Sequence, residues 1–285
     1  MLPNFIFIAL QYLLPQHLLS RCVGRLAECR GVKTKNLLIK AFATHFVVDM
    51  SEAEEEDLSQ YENFNAFFTR ALKPDARPIC EESKAIVSPA DGAVSEIGDI
   101  ELGSVMQAKG QYYSLISLLG GDAGLTNALM GGKFVTVYLS PRDYHRVHMP
   151  YAGRLLKMTY VPGQLFSVNQ ATANKVPGLF ARNERLVCEF EADFGRFAVV
   201  LVGAMIVAGI ETVWAGEVAP VKPRLHSVAY DQQTEILLQK GEEMGRFKLG
   251  STAIILFPEN TVEWQQDLSN GSAVKMGQAL GALVS

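Results

Sequence analysis

Several features that classify a protein quickly are scarce here. The 285 residues include four cysteines, Cys22, Cys29, Cys80 and Cys188. Their spacings match neither a zinc pattern nor a disulfide framework, and they suit a reducing compartment. Basic residues are not in excess. The net charge is −4, so nothing marks a nucleic-acid footprint. Long apolar runs are missing too, since none reaches the roughly 20 residues that span a bilayer. The apolar start, Phe5 to Leu14, has no basic stretch before it and no small-residue cleavage site after it, so it does not read as a signal peptide. Internal repeats and low-complexity tracts are also lacking.

What is present divides the chain in two. Leu13, Leu14, Leu18, Leu19, Val23 and Leu26 recur at helical spacing, with Arg21, Arg25 and Arg30 between them. Asn36 to Val48 repeats the pattern beside Lys33, Lys35 and Lys40. Glu28 is the only acid before Asp49. Such helices either pack on the protein or lie in a membrane interface with their cations on anionic headgroups. Ser51–Asp57 reads as a solvated helix start with Ser51 as N-cap. Tyr61–Leu72 reads as another short helix, which Lys73–Pro78 ends. This predicts a helical region over residues 1–72.

From Ala85 onward the period changes. Short apolar runs alternate with Gly, Pro and Asp: Ile86–Ser88, Phe134–Leu139, Arg154–Val161, Arg185–Phe190, Arg196–Val207 and Ile254–Phe257. Leu115–Leu119 reads as one short helix. Gly271–Ser285 reads as a strand pair around Gly277-Gln278. The predicted fold class is α+β, mostly β. Residues 73–285 would form a catalytic body of β-sandwich or distorted-barrel type, with amphipathic helices before it.

Three stretches carry groups suited to chemistry. Ser88-Pro89-Ala90-Asp91-Gly92 looks first like a hairpin turn. Ser140-Pro141-Arg142-Asp143-Tyr144-His145-Arg146-Val147-His148 holds two imidazoles, with no further Cys or His nearby to make a zinc site. Leu249-Gly250-Ser251-Thr252 looks first like a turn into a strand. Together they supply a carboxylate, an imidazole and a hydroxyl, the parts of a charge-relay nucleophile. A serine hydrolase and a non-enzymatic membrane-associated domain are the competing readings. The first lacks a Gly-x-Ser-x-Gly elbow.

These three motifs, in this order, resemble those of bacterial phosphatidylserine decarboxylases. So does Tyr160-Val161-Pro162-Gly163-Gln164-Leu165-Phe166-Ser167-Val168-Asn169. The resemblance covers essentially the whole chain. It implies self-cleavage between Gly250 and Ser251 into a β chain (1–250) and an α chain (251–285). Asp91, His148 and Ser251 would form the relay, and Ser251 would become a covalent pyruvoyl cofactor without any metal. The resemblance further implies a Schiff base between that group and the amine of phosphatidylserine, with phosphatidylethanolamine and CO2 as products. His145 would serve substrate recognition and decarboxylation, and Phe166 and Ser167 would line the headgroup pocket. The α/β heterodimer, a further homodimer, and a peripheral position on the cytoplasmic face of an anionic cell membrane follow from the same resemblance.

Overall fold

A computed structural model describes residues 4–108, 110–205, 209–219, 224–248 and 251–284. Its centre is the strand Ser251–Phe257, every residue of which is buried. It pairs antiparallel with Gly195–Gly203 on one side and Lys133–Leu139 on the other, inside a nine-stranded sheet. Gly153–Val161 and Arg185–Ala192 extend that sheet one way, and Gly92–Asp99 extends it the other. An uninterrupted Ala-Ile-Ile-Leu-Phe run is what a strand needs when both faces are covered.

Alternation sends successive side chains of this strand to opposite faces. Ala253, Ile255 and Phe257 join one apolar cluster, which also takes in Val147, Ile210, Met244 and Phe247 of a second, four-stranded sheet. Ile254 and Leu256 join another cluster, covered by the short helices Leu115–Leu118, Ala123–Leu129 and Leu179–Arg182. Asp122 caps the second of these helices by accepting from Leu125 N at 2.9 Å. The body is therefore sheet on sheet with a helical layer behind. None of the described sheets closes into a barrel.

The N-terminal helices are α1 (Asn4–Leu13), α2 (Gln16–Ala27), α3 (Val32–Phe46) and α4 (Phe64–Phe68). Helices α3 and α4 share a cluster built on Ile39, Ala43, Phe64, Phe67 and Phe68. Glu28, just past α2, ties in by accepting from Asn63 and Asn65 at 3.0 and 2.6 Å. Helices α1 and α2 dock through polar side chains. Gln11 accepts from Ser167 N at 2.8 Å and Gln16 from Leu165 N at 2.7 Å.

The structure corrects three local expectations. No helix starts at Ser51. Asp49 Oδ1 instead accepts from Ser51 N and Oγ, and Asp57 Oδ1 accepts from Ser59 N. These local bonds offer the backbone an alternative to the helical ladder. The Tyr61–Leu72 helix shortens to α4, because Asn63 caps it late and Leu72 is drawn into an extended bridge with Ala53. The C-terminal strands Ala273–Val274 and Ala279–Leu283 do not pair with each other. The first joins Gly92–Asp99, and the second joins Ala85–Val87 and Val262–Trp264.

Candidate active site

Ser251 stands where the chain changes sheets. Glu243–Lys248 belongs to the four-stranded sheet, and Ser251 opens the central strand of the large one. The predicted partner in cleavage, Gly250, lies outside the described residues. Ser251 pairs with Leu139 and Gly203, and its Oγ is buried without a hydrogen-bond partner. A buried hydroxyl left unbonded costs about 1–3 kcal/mol. Thr252 Oγ1 is in the same condition.

His145 is fully buried at the same end of the sandwich. The segment that carries it leaves the strand paired to Ser251 at Leu139, and its carbonyl accepts from Phe247 N at 3.0 Å. Its ring lies against Phe68 of α4, centroids 3.9 Å apart. Its Nδ1 is 2.8 Å from the Asp143 carbonyl, which can only accept, so the proton is on Nδ1. Nε2 is then a bare lone pair, buried and unpartnered. Burial pushes the imidazole pKa down to about 3, against the pull of that carbonyl, so the ring is neutral at pH 7.

His148 begins differently, because it lies within a strand. Arg146–His148 pairs with Glu243–Lys248, which fixes the direction of the ring. Its Nδ1 donates to the Gly241 carbonyl at 2.8 Å, and its Nε2 is 3.0 Å from the Tyr144 hydroxyl. Burial lowers this imidazole pKa as well.

Asp91 is held elsewhere. Arg77 Nε donates to both its oxygens, at 2.8 and 3.0 Å, and Met276 N donates to Oδ1 at 2.9 Å. Arg77 also pairs with Glu52 at 2.6 Å, and Lys275 adds a further contact to that glutamate at 3.0 Å. These two cations hold the Glu52 pKa down to about 2, despite its partial burial. Asp91 does not sit in a hairpin. The strands before and after it belong to different sheets, and each is paired by a C-terminal strand. Gly92 makes the crossing possible, since a Cβ there would meet the Tyr138 carbonyl at 2.1 Å.

The structure thus brings Asp91 and His148 into one neighbourhood, with His148 N donating to the Pro89 carbonyl at 2.7 Å. The carboxylate and the imidazole each have other partners. Phe166 is buried among the cluster that contains Ile254 and Leu256, and its ring meets Tyr12 at 4.8 Å. By the alternation along the central strand, that is the face opposite Ser251. Leu165 is the loop residue that reaches Gly203 beside the serine, 3.6 Å from where a Cβ would be. Ser167 is anchored through its backbone to Gln11. Arg77, Tyr144 and Gly241 were not singled out by sequence. Tyr144 lay within the His motif, but nothing local points to Arg77 or Gly241. Among the described residues, no cluster of His, Cys, Asp and Glu is arranged to hold a metal ion.

Comparison with known proteins places the chain in a family. A family model described as phosphatidylserine decarboxylase matches residues 64–282, and a second, described as PSD, matches residues 6–47. The phosphatidylserine decarboxylase proenzyme of Ectopseudomonas mendocina is 62% identical over 278 residues, covering 97% of each chain. The proenzyme of that name from Pseudomonas fluorescens Pf-5 is 61% identical over 97% of this chain and 96% of its own. That from Pseudomonas putida F1 is 61% identical over 98% of both. The chain is therefore an enzyme, of the decarboxylase class. It belongs to the phosphatidylserine decarboxylase family.

Proposed function

We propose that the chain cuts itself between Gly250 and Ser251 and then converts phosphatidylserine to phosphatidylethanolamine and CO2. The observation that carries this reading is the Ser251 hydroxyl, buried and unbonded at the first residue of the central strand. Ser251 Oγ attacks the Gly250 carbonyl, His148 takes the hydroxyl proton and returns it to the departing nitrogen, and the amide becomes an ester. β-Elimination then breaks the Cα–H bond, whose proton goes to a base, and the Cβ–O bond, which frees the Gly250 carboxylate and leaves a dehydroalanine at position 251. Water converts this to a ketoacyl terminus and ammonia. The Gly241 carbonyl already fixes His148 as the Nδ1–H tautomer, so Nε2 is the basic nitrogen, and the Tyr144 hydroxyl beside it is placed to pass the proton. A direct role for Asp91 on His148 requires it to take the place of that carbonyl and to loosen its grip on Arg77.

When formed, the pyruvoyl group would take the substrate amine as a Schiff base and act as the electron sink for the departing carboxylate. His145 keeps its Nε2 bare, so it can accept from the headgroup and later return a proton. The products of cleavage stay together because the α chain contributes the strand between Gly195–Gly203 and Lys133–Leu139. Intact-mass analysis tests the reading. The active protein is expected as two fragments divided at Gly250–Ser251, and Ser251→Ala as one chain. Activity from a single full-length species would refute it.

The same reading puts the enzyme on a membrane surface. No helix among the described residues is long and apolar enough to cross a bilayer. Leu13 and Leu18 are 80% and 56% exposed, and Arg21 and Arg25 follow on α2. Such a helix pair suits an anionic interface, peripheral and cytoplasmic. Replacing Leu13 and Leu18 with Ser should reduce sedimentation with phosphatidylglycerol vesicles several-fold. Unchanged sedimentation would exclude this surface.

A further inference from the structure

Residues of three strands and the end of a fourth line up in one row at the serine end of the large sheet. Ser251 pairs with Leu139 on one side and Gly203 on the other. Gly203 N donates to the Glu184 carbonyl at 2.8 Å, which continues the register in which Arg185 faces Val202. Leu139, Leu201 and Leu186 all belong to the cluster on the Ser251 face, as does Tyr160, which pairs with Leu186. By alternation, Gly203 and Glu184 lie on that face as well. The row reads Leu139, Ser251, Gly203, Glu184. The glycine contributes no side chain, so the space between the hydroxyl and the carboxyl is not filled from the sheet. Two strand spacings, about 10 Å, separate the two backbones. Leu165 reaches over the glycine from its loop.

Glu184 is only 7% exposed, yet no Lys or Arg among the described residues pairs with it, and the one cationisable group that acts on it is the exposed imidazole of His17 on α2. The other buried acids of this body show the contrast. Asp91 has Arg77, and Glu189 has Lys157 and Arg196. Among the described residues the Glu184 side chain has one hydrogen-bond partner, the Tyr160 hydroxyl, which donates to Oε2 at 2.7 Å. A buried carboxylate without a cation is costly and is usually matched by one. Burial also raises its pKa, the direction that suits a group that must take a proton near neutral pH.

We propose that Glu184 receives the ammonium group of the aminophospholipid, pairing with it as the missing cation and taking the proton the amine must lose before it can attack a carbonyl at position 251. In this step an N–H bond of the ammonium breaks, an O–H bond forms on the carboxylate, and the nitrogen keeps the electron pair. Tyr160 holds Oε2, which leaves Oε1 for the ligand. Leu165 must be displaced by the headgroup. The inference rests on the decarboxylase reading given above.

The test uses two full-length uncut chains, Ser251→Ala and Ser251→Ala with Glu184→Gln, titrated with short-chain phosphatidylserine and short-chain phosphatidylglycerol. The second chain should bind phosphatidylserine at least about tenfold more weakly and phosphatidylglycerol equally well. Equal affinity for phosphatidylserine, or the same loss for both lipids, would overturn the proposal. With Ser251 intact, Glu184→Gln should divide into two fragments like wild type and lose the acidic limb of the pH profile of kcat/KM. An uncut Glu184→Gln chain, or a cut one with an unchanged profile, also overturns it. If the wild-type chain itself neither divides nor decarboxylates, it is the underlying reading that fails.

Discussion

The two histidines of the motif sit three residues apart in opposite surroundings. Around His148 and Asp91 the polar groups are saturated. Both imidazole nitrogens have partners, and the carboxylate accepts from an arginine and a backbone amide. Around His145 and Ser251 they are bare. An imidazole nitrogen and a serine hydroxyl are both buried without partners. Saturation holds groups in place, and each bare group sacrifices about 1–3 kcal/mol of folding free energy. A site tolerates that cost where a reacting atom is to be received. The saturated end therefore reads as scaffold and proton handling, and the bare end as the place where substrate arrives.

The sharpest way to break this contrast is to remove His145. His145→Ala should still divide at Gly250–Ser251, because the basic nitrogen assigned to cleavage is on His148. Decarboxylation should fall by about 10²–10⁴-fold, the usual contribution of a positioned acid–base group. Fragment masses and CO2 release, measured on the same preparation, decide the matter. If cleavage and decarboxylation disappear together, the two histidines do not divide the labour in this way.

Arg77 probes the saturated end. It is buried between Asp91 and Glu52, with side-chain exposures of 6%, 9% and 30%. Arg77→Met in the uncut Ser251→Ala background leaves a buried carboxylate without its cation, and should cost about 3–5 kcal/mol in urea unfolding. Adding Asp91→Leu should restore much of the loss, since the unpaired charge goes with it. A loss below about 1 kcal/mol would show that this end is not the rigid scaffold described.

The central strand was legible because its residues obey rules that act locally. The Ala253–Phe257 run, the Phe134–Leu139 run and the change of period near Ala85 all reflect burial pattern, and the sheets follow them. The short helix at Leu115 was equally local. The parts that sequence hid depend on distant partners. Arg77 meets Asp91 only because the C-terminal strands clamp the chain on either side of residues 88–91. Gly241 meets His148 across 93 residues. Glu184 is notable because no Lys or Arg among the described residues pairs with it, which no motif can display. Of the loop after Tyr160, sequence marked Phe166 and Ser167, but which loop residue reaches the Ser251 face depends on how the loop packs. That residue is Leu165.

The smallest expected effect comes from acid, and it separates the buried histidines from the Arg77 cluster by pH. Burial holds His145 neutral down to about pH 3, whereas in the unfolded chain it titrates near 6.5. Between these values the unfolded chain binds a proton that the folded chain refuses, so stability is complete above pH 6.5 and falls as pH drops toward 3. His148 shifts in the same direction. Glu52, held down to about 2 from 4.5, adds stability that is lost only below about pH 4.5. Between pH 6.5 and 4.5 the two histidines, one from each end, should therefore dominate the slope, at up to about 1.4 kcal/mol per pH unit each. In the Ser251→Ala background, His145→Gln should make that segment shallower, with the remaining slope carried by His148, and leave the loss due to Glu52 below pH 4.5 in place. If His145→Gln leaves the upper segment as steep as before, the imidazole is not sealed from water, and the bare end is open in solution.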